Sequence, residues 1–159
     1  MFRINRDVRF SKNKKPYKSH MSWYICPGGK QNIDFRACYY LHIEPFNSFV
    51  WWGSYAPCRE YLEKIRKRIV THWDELAAII IEKKFQKYFG QLNSRNMLKT
   101  APRWYSKDHE HIDLLKYKGF SAQSYISDID LETENWYKEY EKRIRALQPF
   151  VNWLNNIHI

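Results

Sequence analysis

Seven residues near the amino terminus, Arg3, Arg6, Asp7, Arg9, Lys14, Tyr17 and Lys18, have types and spacing suited to holding an anion. Arginine offers a planar fork of donors that matches two oxygens of a phosphate or carboxylate, and lysine adds a compact charge. The cluster is expected to bind an anionic, phosphorylated small ligand. In that reading Arg6, Arg9 and Lys14 supply charge beside Arg3 and Lys18, Asp7 orients the arginines, and Tyr17 hydrogen-bonds. Two other readings use the same residues. In a structural or interaction protein they form an internal salt-bridge network, with Asp7 holding Arg3 and Arg9 and a buried acid meeting Arg6. In a nucleic-acid-binding module they contact the backbone, and affinity falls steeply with salt. Defined residue types at defined spacing favour the small ligand, because bulk attraction to a polyanion tolerates scattered lysines.

A second constellation is His42 and Glu44, two residues apart on a segment that alternates like a strand. They share one face, where a carboxylate beside an imidazole can poise it for proton transfer. If the protein is an enzyme, these two are its expected catalytic residues. The alternative makes Glu44 the internal partner of Arg6 and His42 a packing residue. His109 and His111 lie among Asp108, Glu110 and Asp113, but helical positions i and i+2 point about 200° apart, so they do not converge on one ion. No metal and no cofactor is expected. The sequence contains no phosphate-binding glycine loop, no dinucleotide fingerprint, no serine elbow and no H-E-x-x-H motif.

The elements that must position these groups follow from periodicity. Phe2, Ile4, Val8 and Phe10 alternate with Arg3, Asn5, Asp7 and Arg9, which predicts a half-buried strand. Arg6 falls on its apolar side, where a guanidinium needs a carboxylate or a ligand, since unpaired burial costs several kcal/mol. Residues 11–18 read as a turn, and residues 22–36, with Pro27-Gly28-Gly29, as a loop with short extended flanks. Residues 37–44 and 49–55 predict an antiparallel hairpin. Tyr39, Leu41 and Ile43 lie on one face of its first strand, and Cys38, Tyr40, His42 and Glu44 on the other. A helix follows Pro57, with Arg59, Lys64, Arg66 and Lys67 expected mostly toward solvent. Thr71 and Asp74 suggest a capping box opening a second helix from Trp73 to Phe89, closed by Gly90.

Further along, a short strand is expected near residues 97–99, a helix capped by Asp108 and ending at Gly119, and a strand over 120–126. A long amphipathic helix over 131–157 ends the chain. Trp51 and Trp52 could stack bases, but core packing is the expectation for aromatic residues on strands. The fold class expected is α+β, an antiparallel or mixed sheet with helices packed on it, in a single domain over residues 1–159.

The run Arg3-x-x-Arg6-Asp7-x-Arg9-Phe10-x-x-Asn13-Lys14-x-x-Tyr17 resembles the signature of the domain of unknown function 2461 family, which is widespread in bacteria. Tyr40 to Pro45, the basic helix after Pro57, and His111 to Leu115 followed by Lys118-Gly119-Phe120 resemble it too, so the likeness runs along nearly the whole chain. The resemblance implies a fold and brings no activity. It also implies an amino-terminal shortening, because members carry a further helical segment with an Asn-Asn-x-x-x-Trp-Phe type motif ahead of the signature. Apolar surface left uncovered by that segment would favour self-association.

Composition sets the remaining bounds. The 159 residues carry a net charge of +10 and are 18% aromatic, which excludes a disordered tail. Seven basic residues stand against Asp7 alone in the first twenty positions. The longest apolar run, Leu76 to Ile81, is six residues, far below the roughly 18–20 of a membrane span. No membrane partner is expected. Cys26, Cys38 and Cys58 are an odd count without C-x-x-C spacing, so they are read as free thiols. With no signal peptide in view, the protein is expected in the cytoplasm.

Overall fold

The computed structural model describes residues 2–94 and 96–157. Four strands, β1 (Met21–Ile25), β2 (Cys38–Ile43), β3 (Ser48–Ser54) and β4 (Phe120–Ile126), form one antiparallel sheet in the order β1-β2-β3-β4. The helices are α1 (Arg59–Thr71), α2 (Trp73–Ile81), α3 (Lys83–Phe89), α4 (Ile112–Leu115), α5 (Asp128–Glu132) and α6 (Trp136–Asn155). The class is α+β, with a long carboxy-terminal helix.

One face of the sheet carries the core. Leu41 on β2, Val50 and Trp52 on β3, and Phe120, Ala122 and Ile126 on β4 are buried against Ile65, Leu76, Phe85, Leu147 and Phe150 from the helices. The period-two reading of β2 holds, with Tyr39, Leu41 and Ile43 on this side. β3 and β4 run unusually close at Gly53, which has φ +132°; a Cβ there would sit 2.1 Å from the Phe120 carbonyl oxygen. Only glycine permits that approach. The end of α6 is tied to the start of β2, because Asn155 accepts from the Ala37 N–H at 2.9 Å and donates to its carbonyl at 3.1 Å.

The hairpin, the helix after Pro57, the Gly90 stop and the 120–126 strand stand where periodicity puts them. Several other expectations fail. The strand over 2–10 does not form; around the single bridge Asn5↔Tyr17, Arg6 N–H bonds Pro16 O and Lys18 N–H bonds Ile4 O, both at 2.8 Å. The reason lies in Arg6. No carboxylate among the described residues meets it, so it stays half-buried and turns back to the Lys15 carbonyl and the Ser11 hydroxyl, while Phe10 is left 95% exposed. The amino-terminal extended flank expected in 22–36 is β1, which begins at Met21 and whose free edge takes the Phe2 N–H on Ser22 O.

The helix expected over 73–89 breaks at Glu82, whose carboxylate accepts from the N–H groups of Lys84 and Phe85 and so caps α3. Thr71 does not cap α2, because its hydroxyl lies on the Lys67 carbonyl. His111, not Asp108, precedes α4. The final helix begins at Trp136, after a separate turn capped by Ser127. The 97–99 strand is reduced to the bridge Met97↔Tyr117.

The cysteine reading is corrected as well. Register pairs Ile25 with Tyr39, so the next residue, Cys26, lies opposite Cys38. The two form a disulfide, and Cys58 is free. The cysteine count therefore no longer argues for a reducing compartment. Among the described residues, no helix is long and apolar enough to cross a membrane.

Candidate functional site

Alternation along the strands gives the sheet a second face, and it is aromatic. Tyr24, Tyr40, Trp51 and Gln123 form one row across β1 to β4, and Ser22, His42, Phe49 and Tyr125 form the next. A cavity of about 740 Å³ opens over this face, with Tyr24, Tyr40, Phe49 and Trp51 in its lining. Trp51 thus faces the cavity while its neighbour Trp52 is fully buried in the core.

A second cavity of about 570 Å³ shares Phe2 and Tyr24 with the first and adds Arg3, Asn5, Asp7, Lys18 and Lys30. Phe2 stands 5.1 Å from Tyr24 and 6.2 Å from Tyr40, centroid to centroid. The shared wall joins a cationic compartment to an aromatic one.

The signature residues divide between that compartment and the segment's own scaffolding. Arg3, Asp7 and Lys18 line the cationic cavity. Arg9 grips Asp7 fork to fork, with Nε–Oδ1 3.0 Å and Nη2–Oδ2 2.7 Å. That contact holds the Asp7 carboxyl below the ordinary range and raises the guanidinium. The two side chains are 76% and 54% exposed, so water screens the pair and its contribution to stability is small. Its local effect is to neutralise the one acid in the cavity wall. Lys14 Nζ bonds the Val8 carbonyl at 3.0 Å, and Tyr17 is exposed beside the Asn5 bridge. Arg6, Arg9, Lys14 and Tyr17 therefore lie outside the linings of both cavities. Lys30 was not legible in advance; the turn after Gly29 brings it beside Arg3 and Lys18 only because β1 and β2 pair.

His42 and Glu44 come together as the alternation requires, and Tyr40 extends the line. The Tyr40 hydroxyl lies 3.0 Å from His42 Nδ1, and His42 Nε2 lies 3.2 Å from Glu44 Oε2. Glu44 also accepts from Ser19 Oγ at 2.5 Å and Asn47 Nδ2 at 3.0 Å. No arginine among the described residues reaches it, and Arg6 bonds Lys15 O and Ser11 Oγ instead of Glu44. The imidazole of His42 is sandwiched between His20 at 4.5 Å and Phe49 at 4.7 Å. Burial, and then the neighbouring His42, push the His20 ring below its usual pKa.

Donor atoms of His20, His42 and Glu44 lie within 4.8 Å of one another. However, both His42 nitrogens are hydrogen-bonded, and stacked rings cannot both direct a lone pair in plane at one ion. What the chain builds here is a hydrogen-bonded line. His111, from the other histidine cluster, stacks on Trp73 at 4.2 Å, and His109 Nδ1 accepts the His111 N–H.

The bonds from Ser19, Asn47 and His42 hold the Glu44 carboxyl at about 2 against an ordinary 4.5. A carboxyl whose pKa is lowered on folding stabilises the fold above its unfolded pKa, and that contribution disappears as pH falls through the folded value. Glu44→Gln is therefore expected to lower the urea midpoint most above pH 4.5, with the difference from the parent chain shrinking between pH 4.5 and 2. Urea unfolding of both chains across that range checks it; a difference independent of pH would refute the ionic origin.

The chain matches the family described as Conserved hypothetical protein (DUF2461) over residues 1–153. It belongs to that family. No curated protein and no solved structure matches it. The description of DUF2461 states no reaction, and the groups this member offers for chemistry are the two cavities and the line behind them.

Proposed function

We propose that this chain binds an anionic, phosphorylated small molecule with a flat or apolar body, lodged across the two cavities. The observation that carries the reading is the placing of Arg3, Lys18 and Lys30 around one cavity, with no hydrogen-bonded carboxylate on any of the three among the described residues. Asp7, the acid in the same wall, is neutralised by Arg9. An anion entering there gains charge-assisted hydrogen bonds. A flat body passing Phe2 and Tyr24 meets Tyr40, Phe49 and Trp51, which offer stacking and apolar contact. Three cations gathered in one compartment suit a compact anion better than a strand of phosphates. Any reaction would move a proton along the Tyr40–His42–Glu44 line.

Trp51 is the one of the seven tryptophans that lines the aromatic cavity, and subtracting the signal of a Trp51→Phe chain isolates it as a reporter. Its fluorescence is expected to change on titration with phenyl phosphate, which should bind more tightly than inorganic phosphate or phenol, at both 50 and 150 mM salt in roughly the same order. No saturable binding of either phosphate would refute the proposal. Saturation only by an oligonucleotide, with affinity collapsing between those salt concentrations, would move the function to nucleic-acid binding.

A further inference from the structure

We propose that Tyr40 is the proton-transfer group presented to the cavity, and that His42 and Glu44 are positioning residues acting through it. This rests on the reading that the aromatic cavity takes a ligand. Neither His42 nor Glu44 lines either cavity, whereas Tyr40 lines the larger one. His42 is buried, its two ring faces are covered by His20 and Phe49, and both nitrogens are engaged. Of the three residues, Tyr40 is the one in the cavity lining, and its hydroxyl is the group bonded to the imidazole.

Direction follows from donor and acceptor chemistry. An ionised carboxylate only accepts, so His42 Nε2 carries the hydrogen toward Glu44 Oε2. In the neutral ring Nδ1 is then an acceptor, and the phenol at 3.0 Å donates to it. When the phenol loses its proton, Nδ1 gains it, and the imidazolium lies between the Tyr40 oxygen and an anion held by Ser19 and Asn47. The phenolate so formed takes a proton from the ligand; in the reverse direction the phenol donates to a ligand atom that has gained negative charge, and the imidazolium returns its proton to the Tyr40 oxygen. This is the arrangement of a general acid or base whose own partner is fixed by a third group. Period two along β2 puts all three side chains on one face, and the cross-strand neighbours Tyr24 and Trp51 confine Tyr40 on either side.

The test needs no natural substrate. Benzenesulfonyl fluoride is flat and electrophilic. Attack by a phenol forms the S–O bond, breaks S–F, releases fluoride and sends the phenolic proton to His42 Nδ1. The full chain would be labelled and the rate at each tyrosine read by peptide mass spectrometry. Tyr55, 72% exposed and lining the same cavity, and Tyr125, 58% exposed and outside both cavities, serve as internal references. Tyr40 is expected to react at least about 100-fold faster than Tyr55, the lower end of what a positioned base supplies. His42→Gln and Glu44→Gln should each bring Tyr40 down toward the Tyr55 rate without changing Tyr55 itself.

Tyr40 reacting no faster than Tyr55 in the parent chain overturns the proposal. So does an unchanged ratio in both variants, since a purely structural role for the line predicts that result. Should His42→Gln lose cooperative unfolding, the parent ratio and Glu44→Gln decide the matter. Failure here leaves the phenyl phosphate titration untouched. Rapid Tyr40 labelling in a chain that binds no phosphate would sink the anion reading and keep the relay.

Discussion

Arg66→Met is expected to lower the free energy of unfolding by about 3–5 kcal/mol, the usual cost of removing one partner from a buried ionic contact. Arg66 lies on α1 at 4% exposure, with its guanidinium aimed into the protein. Nε donates to the Leu115 carbonyl at 2.8 Å, Nη2 to the Tyr117 carbonyl at 3.2 Å, and Nη1 to Glu63 Oε1 at 2.6 Å. These bonds fasten α1 to the end of α4 and to the approach to β4. Methionine would fill much of the same volume, so the loss measures the orphaned carbonyls and the unpaired Glu63 more than a cavity. Lysine would keep the charge but not the three directions, and Arg66→Lys should fall between. Urea unfolding with an unchanged m-value is the measurement. A loss under about 1 kcal/mol would show that water replaces the guanidinium at both carbonyls.

The charge reversal Arg3→Glu is expected to weaken phenyl phosphate binding about 100-fold, since a charge-assisted bond contributes about 1.5–3 kcal/mol and every 1.4 kcal/mol is tenfold. Lys18→Glu should act similarly. Arg9→Ala should weaken binding too, but by no more than about fivefold, because Arg9 does not line the cavity and acts only by neutralising the exposed Asp7 carboxylate, 2.7 Å away, in its wall. Arg3 is exposed, so its variant should keep the parent's urea midpoint, separating lost binding from lost folding. Titration by Trp51 fluorescence gives the comparison directly. Equal losses at Arg3 and Arg9 would mean that the whole basic segment acts as one diffuse charge, and the cavity would lose its special standing.

Arg6 and Arg66 show where reading the sequence succeeds and where it stops. The alternation of residues 2–10 places Arg6 on an apolar side, where it needs a partner. Arg143 on α6 is buried, and so is Arg66, on a helix whose amphipathic pattern places it toward solvent. Its partners are carbonyls of Leu115 and Tyr117, about fifty positions away, and no periodicity of α1 registers such acceptors. Arg6, lacking a carboxylate in reach, keeps its strand from forming at all.

The catalytic candidates divide in the same way. His42 and Glu44 are two residues apart on one strand face, so their meeting follows from the pleat. Tyr40 obeys the same period and was legible by it. What the period does not contain is which of the three faces a cavity, since that depends on the His20 and Phe49 rings closing over His42. The disulfide between Cys26 and Cys38 likewise needs the β1–β2 register, and the odd cysteine count hides it.

Local pattern alone determined the α+β class, the central hairpin with its core-facing residues, the helix after Pro57, the Gly90 stop and the shared face of His42 and Glu44. Each of these depends on side-chain spacing within a few residues, where strand and helix periods act directly. Tertiary structure decided which cations stay unengaged, which histidine nitrogens are covered, and that Lys30 joins Arg3 and Lys18 beside an aromatic cavity. Those outcomes depend on distances between segments far apart in the chain, set by how one sheet packs its helices on one face and leaves the other open.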